Sequence, residues 1–363
     1  MRIVVKIGTH TLTAGGPSLS RPRIVDLVRQ VAGLLAAGHE VIMVSSGAVH
    51  AGRELIKAPA RRKDIPFKAM LAAIGQVRLM ALYEQLFGLY DIAVAQALLT
   101  REDVADRGRY LNARNTLLSL LMLKIVPIIN ENDVVAIDEI KIGDNDNLSA
   151  LVANLVDADL LVILTDQAGL YTADPRLEPN AQLIPLVTVI DDHIRSLAGA
   201  SGTLLGTGGM ATKIQAAELA TRSGTTVVIA GGATPDVLLR LTAGESLGTR
   251  FPAQVSHVES RKRWILAEPP SGDISVDAGA TDALVSHGRS LLAVGVSAVA
   301  GDFRRGQTVR LLAPDGREIA RGITNYDAAD LIAIRGHRSS EISAILGYQY
   351  GTTVVHRDDL VLV

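Results

Sequence analysis

The chain has 363 residues, 48% of them hydrophobic and 20% charged, enough apolar material for about two packed domains and incompatible with a largely disordered polypeptide. Its net charge of −2 offers no global basic field for nucleic acid or an anionic membrane. The absence of cysteine excludes disulfides, thiolate catalysis and cysteine-ligated metals.

The start, MRIVVKIG, has no charged leader, long apolar segment or cleavage site of a secretory signal. The densest apolar stretch, 117–129, is broken by Ser119, Lys124 and Pro127 and falls short of the ~20 residues that span a bilayer. A cytoplasmic protein without membrane attachment is the expectation. With aromatics at only 3%, Val, Leu, Ile and Ala must fill the interior, a mixture suited to parallel strands covered by helices.

Five short β-branched-rich runs read as strands: IVVKI at 3–7, VIMV at 41–44, IVPII at 125–129, LLVIL at 160–164 and TVVIA at 226–230. Helix-period segments lie between them. In 21–38, Ile24, Leu27, Val28, Val31, Leu34 and Leu35 share one face and Gly38 suits the C-terminal cap. Residues 68–88, 109–123, 146–156 and 210–224 read the same way. This alternation predicts an α/β fold, a three-layer αβα sandwich around a mainly parallel sheet, with ligands gathered beyond the C-terminal strand ends. The texture changes near Phe251. Residues 1–252 read as the first domain, 253–272 (with RKRW and EPPSG) as a linker, and 273–363 as a small β-rich domain.

The polar clusters fall at the predicted strand ends. In KIGT, Lys6 sits inside an apolar strand, so its ammonium must either reach solvent from an edge or meet an anion at the strand end. SSGA at 45–48 follows a strand, and Gly47 permits a tight turn into a helix whose free N–H groups suit an anion, although an ordinary helix start reads the same. INENDVV at 129–135 packs Asn130, Glu131, Asn132 and Asp133 into one loop, suited to local turns or to an amino acid's ammonium and carboxylate. In GDNDNLSAL at 143–151, one Asp or Asn is explained as a helix cap, but four in a row are not. Thr165 and Asp166 close a strand ahead of the turn ADPR. GTGGMATK at 206–213 brings three glycines and Lys213 to a helix start, a phosphate-binding pattern that is neither a P-loop nor GxGxxG. Histidine pairs with zinc spacing and a GxSxG elbow are both missing from the sequence.

Together KIGT, SSGA, INEND, GDNDNLSA, LLTDQAGLYTADPR and GTGGMATK, followed by SRKRW at 260–264 and ILGYQYG…VVHRDD at 345–359, resemble the amino-acid kinase family over essentially the whole chain. Within it they resemble the enzymes that phosphorylate the side-chain carboxylate of L-glutamate, with a PUA-like domain at the C-terminal end. One departure is Ser45 where that group usually has threonine, which keeps the hydroxyl. The resemblance implies that Lys6 and Lys213 contact the ATP phosphates and stabilise the transferring group, with Asp146 organising the site. Thr165, Asp166 and the run Thr207, Gly208, Gly209, Met210, Ala211, Thr212 and Lys213 are implied to hold ATP, and Ser46, Asp133 and Asn145 to bind glutamate. It further implies Mg²⁺ held by phosphate oxygens and water without protein ligands, L-glutamyl 5-phosphate as the first intermediate of proline biosynthesis, feedback inhibition by proline, and a homo-oligomer (dimer or tetramer). Kinases of the same fold acting on aspartate, N-acetylglutamate, carbamate or UMP are the rival readings.

The chemistry fits such a reaction. A substrate carboxylate with an ordinary pKa of about 4.3 is ionised at neutral pH and needs no general base. The obstacle is anion–anion repulsion, which two lysines and Mg²⁺ offset. For the C-terminal part, the net charge of −2 over residues 271–363 favours a role in assembly or regulation over RNA binding, although Arg304 and Arg305 could form a local patch.

Overall fold

A computed structural model describes residues 1–57, 64–136, 145–200 and 209–363. The chain divides into two compact units, one of Met1–Val104 with Ala113–Val255 and one of Ala105–Asn112 with Ser256–Val363.

The first unit is built on seven strands: β1 (Arg2–Ile7), β2 (Glu40–Ser45), β3 (Val94–Leu99), β4 (Val126–Glu131), β5 (Leu160–Thr165), β6 (Thr226–Gly231) and β7 (Thr249–Phe251). They lie in the order β3-β4-β2-β1-β5-β6-β7, all parallel except β7, which runs antiparallel to β6. All five strands predicted from the sequence are present. The edge strands β3 and β7 carry no clear signal in the sequence. VAQALL in β3 is only partly buried and carries little β-branched signal, and β7 has three residues.

The helices of this unit are α1 (Thr9–Thr13), α2 (Arg21–Ala36), α3 (Ala48–Ile56), α4 (Ile65–Gly88), α5 (Arg101–Ala105), α6 (Arg107–Met122, whose first turns belong to the second unit), α7 (Asn145–Leu155), α8 (Asp192–Ala200), α9 (Met210–Arg222) and α10 (Val237–Thr242). In α2, Ile24, Leu27, Val28, Val31 and Leu34 are buried, as the spacing requires. Ala37 caps the helix, and Gly38 follows in the left-handed conformation.

Strand alternation sorts the sheet into two faces. Ile3, Val5 and Ile7 of β1 join one core with residues of α2, α4 and α10. Val4 and Lys6 therefore point to the opposite face, the side that α7 and α9 cover. Among the described helices, α4 alone is long and apolar enough by composition to cross a membrane. Here Leu71, Leu79, Tyr83 and Phe87 seat it in the core.

The second unit has a sheet of β8 (Asp273–Val276), β9 (Val296–Ala300), β10 (Thr308–Leu312), β11 (Glu318–Thr324) and β12 (Val355–Leu362), in the order β12-β11-β10-β8-β9. Its own core includes Ile274, Phe303, Val309, Leu311, Tyr326 and Leu331. The stretch read as a linker differs from that expectation, because it contains helix α11 (His257–Ala267). Ser256 and Glu259 form a reciprocal capping box at its start, the local signal that S-x-x-E provides.

Candidate active site

The C-terminal ends of β1, β2, β4 and β5 converge around the sheet's centre, where the chain first departs to one side of β1 and later returns on the other. The backbone N–H of Ser46 donates to the Ile7 carbonyl at 3.1 Å, fastening the loop after β2 to the end of β1. Gly47, at φ +102, turns that loop into α3.

Lys6 lies in the interior of the sheet with 4% of its surface exposed, flanked by Val44 of β2 and Ile163 of β5. An ammonium there is costly without a counter-charge. Asp146, fully buried in the first turn of α7, supplies it: Lys6 Nζ is 2.5 Å from Asp146 Oδ1. The other oxygen, Oδ2, accepts from Lys213 Nζ at 3.0 Å. Lys213 is also 4% exposed and lies in the first turn of α9, where the helix dipole disfavours a cation, whereas Asp146 suits the start of α7. The Thr212 hydroxyl lies 2.8 Å from the same Oδ2 and 2.7 Å from the Gly209 carbonyl, and can donate to one of them at a time.

Burial pushes the Asp146 carboxyl up, but the fields of Lys6 and then Lys213, with their hydrogen bonds, outweigh it and hold the group at about 2. The trio sets two lysine side chains against one carboxylate, more cation than anion at the strand ends.

Beside it lies an amide network. Asn145 Nδ2 donates to Ser46 Oγ at 2.8 Å and to Asn130 Oδ1 at 2.9 Å. Asn130 Nδ2 in turn donates to Gln76 Oε1 of α4 at 3.0 Å. Asn145 Oδ1 and Gln76 Nε2 are buried without a hydrogen-bond partner among the described residues. Beneath the loop after β2, the Ser45 hydroxyl and Tyr83 Oη are 2.8 Å apart. Burial pushes the Tyr83 phenol up to about 12, so this contact stays protonated over the ordinary pH range.

The structure thus brings Lys6, Asp146, Thr212 and Lys213 together, and Ser46 with Asn145. Gly209 caps α9, Met210 is buried beneath it and Ala211 is exposed. Thr165 ends β5 and donates to Asp166 at 3.0 Å, and neither makes a polar side-chain contact with the lysine pair among the described residues. Asp133 stands apart in the turn after β4. Its side chain makes no hydrogen bond or ion pair among the described residues, and burial pushes its carboxyl up. Thr207 and Gly208 lie outside the described residues.

Gln76 and Tyr83 carry little signal in the sequence. Both interrupt an otherwise apolar buried face of α4, spaced seven apart, and that interruption was the available signal. Asn130, which the sequence offers only within a loop suited to turns or to an amino acid's charged groups, links Gln76 to Asn145.

Residues 1–231 match the Amino acid kinase family and residues 272–346 match the PUA domain. The glutamate 5-kinase of Herpetosiphon aurantiacus is 60% identical over 99% of this chain and 98% of its own length. That of Deinococcus radiodurans is 57% identical over the full length of both, and that of Escherichia fergusonii 54% identical over 99% of this chain and 98% of its own. The chain belongs to the amino acid kinase family, within its glutamate 5-kinase group, and carries a PUA domain.

Proposed function

We infer that the chain transfers the γ-phosphoryl group of ATP to the side-chain carboxylate of L-glutamate, giving L-glutamyl 5-phosphate, the first step of proline biosynthesis. The observation that most supports this reading is the pairing of Lys6 and Lys213 on one buried carboxylate at the C-terminal strand ends. It is a place where two cations can meet a polyphosphate without first being gathered.

Lys6 and Lys213 contact the phosphates and follow the charge that spreads over the transferring group, which is where preorganised cations lower the barrier. Asp146 holds both ammoniums in place and cancels their mutual repulsion before ATP arrives. Ser46, Asn145 and Asp133 bind the acceptor, and Thr165, Asp166 and the run 207–213 bind the nucleotide. The acceptor carboxylate is the nucleophile and is already ionised, so the residues supply position and charge and move no proton. Mg²⁺ enters with ATP, on the phosphate oxygens, as part of the substrate.

Further proposals, supported by the resemblance and the relatives, are residues 1–252 as the catalytic domain and 273–363 as the PUA domain, a cytoplasmic homo-oligomer, and inhibition by proline. The substrate reading is tested by measuring ADP release with L-glutamate, L-aspartate and N-acetyl-L-glutamate side by side. Release with glutamate well above the other two is expected. Release with aspartate and none with glutamate overturns the assignment.

A further inference from the structure

Two polar side chains on the buried face of helix α4 reach the acceptor end of the site. We propose that Gln76 is a positioning residue for the acceptor, fixing through Asn130 the orientation of the Asn145 amide. The inference rests on the reading of Asn145 and Ser46 as acceptor-binding.

Gln76 and Asn130 are both buried, so neither can satisfy its hydrogen bonds with bulk water. With Gln76 Oε1 accepting, Asn130 must present Nδ2 to it and Oδ1 to Asn145. Asn145 then spends Nδ2 on Asn130 and Ser46, and its carbonyl oxygen is left without a partner. A buried, oriented acceptor with no partner is what an amino acid's ammonium group requires. Without Gln76, Asn130 is free to turn over. Asn145 can then follow, presenting a donor in place of the acceptor.

The helix is well fixed for this task. A Cβ placed on Gly75 would lie 1.8 Å from the Ala48 carbonyl oxygen, and one on Gly52 would lie 2.0 Å from that of Leu71. The backbones of α3 and α4 therefore touch with no side chain between them, one residue before Gln76. Since α3 begins at Ala48, immediately after the Ser46–Gly47 turn, that contact joins Gln76 to the loop bearing Ser46. Seven residues on, on the same face, Tyr83 holds Ser45 at 2.8 Å.

The test compares Gln76→Met, which keeps the volume and deletes the hydrogen bonds, with Gln76→Glu, whose carboxylate still accepts from Asn130. The full chain is assayed with L-glutamate and MgATP. In Gln76→Met the KM for glutamate is expected to rise about tenfold or more, the worth of one well-placed hydrogen bond, while the KM for ATP stays within about twofold. In Gln76→Glu the KM for glutamate is expected to stay near the parent value. A purely structural residue would lower the melting temperature without this split. An unchanged glutamate KM in Gln76→Met, or equal rises for both substrates, overturns the proposal. Should Gln76→Met not fold, Gln76→Asn, one methylene shorter, is held to the same criteria. A parent chain that releases no ADP with glutamate defeats the acceptor reading itself, and this inference with it.

Discussion

Lys6 and Lys213 hold opposite oxygens of a single carboxylate, at 2.5 and 3.0 Å, although one comes from the first strand and the other from a helix late in the domain. Asp146 thus bridges both ammoniums, and the three charges are almost wholly removed from water. Each member therefore has a structural and a chemical consequence, and the two can be separated experimentally.

Replacing either lysine by alanine leaves Asp146 with the other as a partner. The folded state is expected to survive, while turnover falls at least ~10²-fold through loss of a cation aimed at the transferring phosphoryl group. ADP release, with circular dichroism as the check on folding, measures both. Turnover within a few-fold of the parent in either variant removes that lysine from the chemistry.

Asp146→Asn acts differently, because it leaves two buried ammoniums facing each other. Breaking a buried ion pair from one side costs about 3–5 kcal/mol, and urea denaturation is expected to show a loss of that order. A variant as stable as the parent would show that the lysines find other anions.

The same carboxylate sets an acid limit. Its folded value of about 2 lies below the ordinary 3.8, so its contribution is complete above about pH 4 and is lost as the pH falls toward 2. The amount is on the order of 2 kcal/mol. Denaturation midpoints measured from pH 5 down to pH 2 are expected to fall more steeply in the parent than in Asp146→Asn, where this titration is absent.

How much of this the sequence disclosed depended on the length scale of the signal. Each of the five buried strands is a compact apolar run with a turn behind it, and the polar clusters at their ends marked the site. Lys6 was ambiguous because burial is decided by neighbours: only the placement of β1 between β2 and β5 makes it a central-strand lysine. That Asp146 would stand between the two lysines was not readable from spacing, since it requires α7 and α9 to pack side by side. Gln76 and Tyr83 were hidden by their own helix, where a polar residue in an apolar stripe reads as a minor irregularity. Strand β3 is hard to read because Ala and Gln dilute its pattern, and α11 because its charged run RKR resembles a linker.

The contact between α3 and α4 makes a packing prediction. Gly75→Ala places a methyl group inside the van der Waals radius of the Ala48 carbonyl. The helices must separate, at a cost of about 3 kcal/mol or more, and the glutamate KM is expected to rise with it because α3 carries the Ser46 turn. A stable variant with an unchanged KM would show that the two helices tolerate a wider crossing.

The Tyr83–Ser45 contact is smaller in scale. Tyr83→Phe is expected to cost about 0.5–1.5 kcal/mol, and Ser45→Ala a similar amount. The double variant should cost clearly less than the two together, because the second change removes a hydroxyl that has already lost its partner. Additive losses would mean the two hydroxyls are energetically independent.

The most direct measurement is a trap for the product. An acyl phosphate reacts with hydroxylamine, whereas ADP release alone could come from hydrolysis of ATP. With L-glutamate, MgATP and hydroxylamine, the parent chain is expected to form the γ-glutamyl hydroxamate in step with ADP, and the Lys6→Ala and Lys213→Ala variants to form almost none. ADP accumulating without hydroxamate, or hydroxamate forming undiminished in either lysine variant, would contradict phosphoryl transfer to a carboxylate by this lysine pair.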